Sequence, residues 1–390
     1  MIVKRLNKTN VIRVLRTIWI KKRISRIEIA KKLALDKSTI TNIVSGLKDL
    51  NLVHPIAEGG VGPSGGRRPI YLTINKNFGS VIGFEIRPDL YKVVVLNLHG
   101  EVILFKKEKI NISSSNFVPV FKEIAQRVIE NVKELGVPPL GIGLGISGIV
   151  NTETGIIITS IPLNIYEETE FISQISQEIN IPVIIENDVN CCCWGEIIYN
   201  NHKNLSNFIF VLIYSFDQKY INAKDNNRIS VSMGIVINNK IYHGSNYLAG
   251  VFRSIFWEPP NKSQFSLSEN ELLQIHDDIE IFNRYLKELA FHIALFVNTF
   301  DFNYVILNGF IINEKNRVIN ILQDTIKKNS FYPNKTDCIV RFSNFGDKAV
   351  AYGSAGMFLE KLFTPPGIST IMKNKVQDEN LLFKFIKNNR

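Results

Sequence analysis

The chain has 390 residues, of which 45% are apolar and 21% charged, a composition that excludes a disordered chain and a length sufficient for two or three domains. Its longest apolar runs, such as residues 208–214, are strand-length and fall far short of the roughly 18–20 residues of a membrane-spanning helix. Near the start, Asn7, Lys8, Asn10 and Arg13 interrupt any apolar stretch of a secretory signal, so a cytoplasmic protein with no membrane partner is expected.

The formal net charge of +10 is concentrated at one end. Residues 1–76 hold 16 Lys and Arg against only Glu28, Asp36, Asp49 and Glu58, whereas the rest of the chain carries 30 basic and 32 acidic side chains. A compact basic segment beside a nearly neutral body is the electrostatic footprint of a polyanion binder. Nucleic acid fits it better than a membrane, because no basic amphipathic helix with an aromatic face is present.

Within this segment, Val11, Ile12, Val14, Leu15, Ile18 and Trp19 recur at helical spacing, predicting an amphipathic helix over 10–20. Ser25 and Glu28 form a capping-box pattern for a helix over Arg26 to Leu33. Ala34-Leu35-Asp36 reads as a short turn, with Asp36 capping a second helix to about Asp49 whose apolar stripe is Ile40, Val44, Leu47 and Leu50. The opposite face presents Ser38, Thr39, Thr41, Asn42 and Ser45, flanked by Lys37 and Lys48. Small hydroxyl and amide side chains let a helix approach a major groove closely and offer donors and acceptors to base edges, while the lysines reach phosphates. An ordinary solvent-exposed helix face is the alternative. The glycine-rich stretch 58–69, ending in Arg67, Arg68 and Pro69, leads into an alternating strand at 70–74 and reads as a wing whose arginines contact phosphates or a narrow minor groove. A phosphate-binding nucleotide loop is disfavoured, because no Gly-Lys-Ser/Thr follows and the loop enters a strand. Residues 1–76 are thus expected to form a winged helix-turn-helix that binds double-stranded DNA.

The body begins with three alternating strands near 81–86, 92–97 and 101–105, then a helix over 117–135. The next strand, 140–148, contains Gly-x-Gly-x-x-Gly at Gly143, Gly145 and Gly148. As a dinucleotide fingerprint this is weak: residues 151–158 read as a turn and a strand, whereas the fingerprint needs a helix N-terminus at the pyrophosphate.

Several motifs in order now carry a family resemblance. They are Ile24-Ser25-Arg26 in the helix-turn-helix, Gly65-Gly66-Arg67-Arg68-Pro69, the glycine-rich strand at 141–148, Glu186-Asn187-Asp188-Val189-Asn190, and Phe345-Gly346-Asp347-Lys348-Ala349-Val350-Ala351-Tyr352-Gly353. Over nearly its whole length the chain resembles the ROK family of sugar kinases and sugar-responsive repressors, and with a DNA-binding head it resembles the repressor branch. The resemblance implies an α/β architecture: a winged helix-turn-helix followed by a two-lobed, actin-like (ribonuclease-H-like) ROK body. The first lobe would span 77–188 and the second 189–390, with C-terminal helices packing back on the first.

Departures from the family pattern bear on chemistry. Where ROK kinases open with Asp-x-Gly-Gly-Thr, this chain has Glu85-Ile86-Arg87-Pro88-Asp89, without the glycine pair and with a proline that removes a backbone donor. The second phosphate loop, expected between Tyr214 and Met233, shows Ser215-Phe216-Asp217-Gln218-Lys219 and a polar stretch over 222–228 instead. Phosphoryl transfer rests on positioning and electrostatic clamping, so Asp188, which matches the family's catalytic base, has nothing to act on and no catalytic residue is expected. Val251 and Ser254 replace the Glu and His of the family's Gly-Glu-x-Gly-His, and residues 257–262 offer no thiol, so neither zinc nor another cofactor is expected. Cys191, Cys192 and Cys193 point in different directions from a helix and read as small packing residues of a reducing compartment.

Asn187 and Asp188 remain the effector candidates, since in the resemblance they contact sugar hydroxyls; capping of the helix that starts near Val189 is the alternative. Asn164 is a third, weaker one. The resulting expectation is a transcriptional repressor of carbohydrate-metabolism genes, a homodimer or higher homo-oligomer on a palindromic operator with a possible sugar effector. The alternatives are a ROK sugar kinase and an effector-independent DNA-binding scaffold.

Overall fold

In a computed structural model, residues 7–58, 69–199, 205–216, 229–334, 337–364 and 381–382 are described. The N-terminal head comprises α1 (Lys8–Lys21), β1 (Ile24–Ser25), α2 (Arg26–Leu33), α3 (Lys37–Asp49), β2 (Val53–Glu58) and β3 (Ile70–Ile74). The three strands form an antiparallel sheet in the order β1-β3-β2. Val11, Val14, Leu15 and Ile18 of α1, Ile29 of α2, and Ile40, Val44 and Leu47 of α3 meet in one core, the burial that stabilises helices too short to persist alone. Ser25 and Glu28 close the expected capping box, each side chain bonded to the other residue's backbone N–H.

Two details of the head differ from expectation. Asp36 occupies the N-cap of α3 with extended backbone, but its side chain makes no capping bond. Ile43 and Gly46 complete the buried side of α3, whereas Leu50 is only half-buried at the C-cap.

The body contains two five-stranded sheets. Chain order runs β4 (Ser80–Ile86), β5 (Leu90–Asn97), β6 (Val102–Lys109), α4 (Phe117–Glu134), β7 (Pro139–Ile146), β8 (Ile149–Asn151), β9 (Ile156–Thr159), α5 (Phe171–Ile175) and β10 (Val183–Asn187). It continues with α6 (Asp188–Tyr199), β11 (Phe208–Ser215), β12 (Ile229–Ile237), β13 (Lys240–Ile241), α7 (Glu269–Leu273) and α8 (Ile279–Phe300). The last elements are β14 (Tyr304–Gly309), α9 (Lys315–Asn329), β15 (Ile339–Phe342) and α10 (Ala349–Phe363). The first sheet has the order β10-β7-β4-β5-β6 and the second β13-β12-β11-β14-β15. In each, an antiparallel meander is joined to parallel strands reached through helices. One face of the first sheet packs on α4 and α5, where Phe117, Phe121 and Phe171 cluster. The other face receives α10, which continues in sequence from the second sheet.

The glycine-rich strand has its explanation in this packing. A Cβ on Gly143 would lie 1.9 Å from the Ser354 carbonyl oxygen, and one on Gly353 would lie 1.7 Å from the Cys191 carbonyl oxygen. Glycine is required because α10 lies backbone-to-backbone against both β7 and α6, not because a ligand approaches. Cys191, Cys192 and Cys193 are buried on α6 in the same packing, and burial raises all three thiol pKa values well above the usual range.

Head and body share a core. Trp19 of α1 stacks on Phe363 of α10 with ring centroids 4.9 Å apart, and its indole N–H donates to the Leu98 carbonyl at 3.0 Å. Arg16 pairs with Glu360 and donates to the Thr364 hydroxyl at 2.8 Å. Among the described residues no helix is long and apolar enough to cross a membrane.

Candidate functional site

Two regions concentrate the candidate residues. On α3, Lys37, Ser38, Thr41, Asn42, Ser45 and Lys48 are exposed and Thr39 is half-buried, on the face opposite Ile40, Val44 and Leu47. Thr41 uses its hydroxyl to donate to the Lys37 carbonyl at 2.8 Å, so it shows its methyl and one acceptor outward. Arg67 and Arg68 lie outside the described residues. The Arg23 guanidinium sits 4.2 Å from the ring centroid of Tyr71 on β3.

The second region lies where β10 and the β4–β5 turn of the first sheet meet β11 of the second. Asn187 donates from Nδ2 to the Gly148 carbonyl at 2.8 Å, and its Oδ1 accepts the N–H groups of Val189 at 3.0 Å and Asn190 at 3.3 Å. It thus caps α6, leaving little of its hydrogen-bonding capacity for a ligand. Asp188 is 1% exposed; Oδ1 accepts the Val189 N–H at 2.8 Å, while Oδ2 is buried with no hydrogen-bond partner among the described residues. Burial pushes its carboxyl up to about 7, opposed by the Val189 N–H, reinforced by the Glu85 charge, and held back further by the neighbouring Ser147 and Tyr214 hydroxyls, which approach it without reaching Oδ2 at hydrogen-bond distance. Asn164 sits at φ +57° in a turn whose N–H bonds back to the Ile161 carbonyl at 3.0 Å. That turn is tied to the same corner, since Ser160 donates to the Ser147 carbonyl at 2.5 Å.

The stretch over 217–228, where the second phosphate loop was expected, lies outside the described residues; beside Asp188, the strands flanking the β4–β5 turn carry charge pairs. Buried Lys92 binds Glu85 at 3.0 Å and Asp347 at 2.7 Å, and Asp347 also holds Lys107 at 3.0 Å. Burial works against the Lys92 ammonium, but the two carboxylates hold its pKa above the usual value. Tyr214 donates from β11 to Glu85 at 3.2 Å, joining the two sheets. The Arg87 guanidinium lies 5.0 Å and 5.3 Å from the Tyr214 and Phe216 ring centroids and pairs with Asp89 at 3.3 Å. These residues border a cavity of about 300 Å³. Its cations are already engaged by carboxylates or rings, which is the opposite of a prepared phosphate cradle.

Sequence reasoning missed a third cluster behind Asn187. Buried Glu186 accepts from or pairs with His243 Nε2 at 2.8 Å and accepts from Asn190 Nδ2 at 3.2 Å. Burial opposes protonation of His243, but the Glu186 carboxylate prevails and raises its pKa. Burial lowers the Lys361 ammonium on α10 to about 8, with Glu186 the charge that counters it. No motif spacing links these residues; the only local signal was a glutamate in an otherwise apolar strand. Of the residues replacing Gly-Glu-x-Gly-His, Val251 is 67% exposed and Ser254 is buried, its hydroxyl accepting the Phe256 N–H at 3.1 Å.

These features define a two-sheet α/β body joined through a shared core to a small basic head. Residues 81–215 match the ROK family model. It is 32% identical over 243 residues to a xylose repressor of Staphylococcus xylosus, a match covering 61% of this chain and 58% of that protein. It is 25% identical to a xylose repressor of Bacillus subtilis over 86% of this chain and 91% of that protein. Its fold is that of a ROK family transcriptional regulator described as a homologue of the E. coli MLC protein: TM-score 0.75 and 18% identity, covering 97% of this chain and 98% of the other. Sugar kinases of the family also match the body.

Proposed function

We propose that this protein is a sequence-specific DNA-binding repressor of carbohydrate-metabolism genes and not an enzyme. The observation that carries the reading is the α3 face. Small polar side chains stand exposed between Lys37 and Lys48, on the second helix of the α2–α3 pair, in the segment that holds the whole basic excess of the chain. In this reading residues 1–76 are a winged helix-turn-helix; α3 reads bases through Ser38, Thr39, Thr41, Asn42 and Ser45, and Arg67 and Arg68 contact the backbone or minor groove. Lobes at 77–188 and 189–390 form the sensing body, which dimerises so that two heads meet successive major grooves about 34 Å apart on a palindromic operator.

The effector is a sugar held by Asp188, with Asn187 and Asn164 shaping the corner, and the names of the relatives make xylose the first to test. Asp188 Oδ2, which has no hydrogen-bond partner among the described residues, is an acceptor that a sugar hydroxyl satisfies. Binding would act on the head through α10, which starts beside the Lys92–Asp347 pair and ends against Trp19 and Arg16 of α1. A ligand that prefers one lobe arrangement then shifts the population of DNA-competent dimers.

A gel shift on the protein's own upstream region, with excess nonspecific competitor and a panel of pentoses, hexoses and amino sugars, tests the reading. A specific shift released by one sugar is the expected result. A shift that no sugar releases would leave a DNA-binding scaffold whose body only dimerises. ATP consumption dependent on a sugar and abolished in Asp188→Ala would replace the reading with a sugar kinase.

A further inference from the structure

Behind the effector corner, one buried carboxylate holds groups from both sheets of the body. Glu186, 1% exposed near the end of β10, accepts the Asn187 N–H at 2.8 Å and Asn190 Nδ2 at 3.2 Å through Oε1. Its Oε2 meets Nε2 of His243 at 2.8 Å, and His243 follows β13 of the second sheet. The loop that carries His243 is tied to β12, because the Ala249 N–H donates to the His243 carbonyl at 3.1 Å and the Met233 N–H to the Gly250 carbonyl at 3.0 Å. A single carboxylate therefore fixes the backbone that presents Asn187 and joins it to the opposite sheet.

We propose that Glu186 and His243 form a proton-operated clasp between the two lobes, closed while the imidazole is protonated, and that His243 is thereby a positioning residue for the effector corner. The imidazolium gives Glu186 a charge-assisted bond, whereas the neutral ring offers a buried carboxylate only a neutral donor. The groups facing His243 set where the change falls. Burial disfavours the imidazolium, yet the Glu186 carboxylate outweighs it; Lys361 of α10 opposes the proton and Glu153 of the β8–β9 turn favours it, and the pKa of His243 rises above its usual 6.5. Tyr247 lies edge-on to the ring at 6.1 Å, and burial with the two glutamates raises its pKa, so it stays a neutral phenol in this range. A histidine whose pKa rises on folding contributes stability that is complete below its unfolded value and is lost as pH rises through the folded one. The clasp thus loosens in the alkaline direction. Burial brings Lys361 down to about 8, but losing its charge favours the imidazolium, so it does not mimic this loosening.

The positioning role rests on the proposed function, whereas the clasp itself needs neither DNA nor sugar, so the two are read separately. Nuclear magnetic resonance titration of the full chain, labelled at its 6 histidines, identifies His243 by the signal lost in His243→Gln. Its titration is expected above 6.5 in the wild type and below that value in Glu186→Gln. Backbone hydrogen exchange over 243–251, corrected for its intrinsic pH dependence, is expected to speed up about fivefold or more between pH 6 and pH 8 in the wild type. His243→Gln keeps an N–H donor but cannot titrate, so that response should disappear. Both variants are checked for wild-type circular dichroism. A His243 that titrates at or below 6.5, or exchange that does not respond to pH, would overturn the clasp. With sugar, the ratio of dissociation constants, His243→Gln over wild type, is expected to fall from about 5 at pH 6 towards about 1 at pH 8. The titration of Asp188 is common to both proteins and cancels from this ratio. A ratio constant with pH would overturn the positioning role. No sugar binding by the wild type would count against the effector reading alone, with the clasp decided by the titration and the exchange.

Discussion

Replacing Asp188 with Asn isolates the energetic consequence of a buried, half-satisfied carboxyl. In the unfolded chain this group titrates near its usual 3.8, whereas in the fold burial pushes it up to about 7. A carboxyl whose pKa rises on folding contributes stability that is fully present below its unfolded value and is lost as pH rises through the folded value. A difference of roughly three units corresponds to about 4 kcal/mol of destabilisation once pH is well above 7. Asn keeps the acceptor that receives the Val189 N–H but cannot ionise. Urea unfolding of both proteins at pH 5, 6.5 and 8 should therefore show the stability of Asp188→Asn relative to wild type improving by a few kcal/mol between pH 5 and pH 8. The slope is the diagnostic, because any fixed difference in packing cancels from it. A stability difference that stays flat across this range would refute the reasoning, since it would mean that the carboxyl titrates as it does in water. A sugar that donates a hydroxyl to Oδ2 stabilises the charged form, so saturating effector should flatten the wild-type slope.

Lys37→Ala and Lys48→Ala should weaken DNA binding about equally on all sequences, each reducing the salt slope by about one, as read by fluorescence anisotropy at several salt concentrations. Asn42→Ala should instead reduce discrimination between operator and mutated operator by about 1–3 kcal/mol while leaving the salt slope intact. Trp19→Ala removes a buried ring stacked on Phe363 and strands the Leu98 carbonyl, and should destabilise the protein by about 3–5 kcal/mol. Because the head and the first sheet share one hydrophobic core, the variant's denaturant unfolding should keep the head and that sheet in one transition; a separate early head transition in the wild type would contradict the shared core.

Local physics made much of the head legible. The Ser25–Glu28 capping box is a reciprocal bond between residues three apart, and the apolar spacing of α1 and α3 reports which face is buried. Asp36 shows the limit of such reasoning: it has the right residue type and backbone for a cap, yet its side chain stays unbonded. At the cleft, the loss of the glycine pair at 85–89 was readable residue by residue. That Glu85, Lys92, Asp347, Lys107 and Tyr214 replace phosphate with a closed set of charge pairs was not, because the partners come from distant strands. Likewise Glu186 stood in a motif, but its pairing with His243 and its nearness to Lys361 did not show, since nothing in their spacing brings β10, the segment after β13 and α10 together.

The sequence by itself determined the basic head and its helix pair with one polar face, since these follow from composition, period and local bonding. Only the tertiary structure decided what the glycines of β7 are for, that Asn187 spends its amide on the distant Gly148 carbonyl while Asp188 Oδ2 is buried without a partner among the described residues, and that α10 links the cleft to α1. Each of these depends on which backbone lies within van der Waals or hydrogen-bond distance of a residue far away in the chain, and short-range residue patterns do not encode that distance.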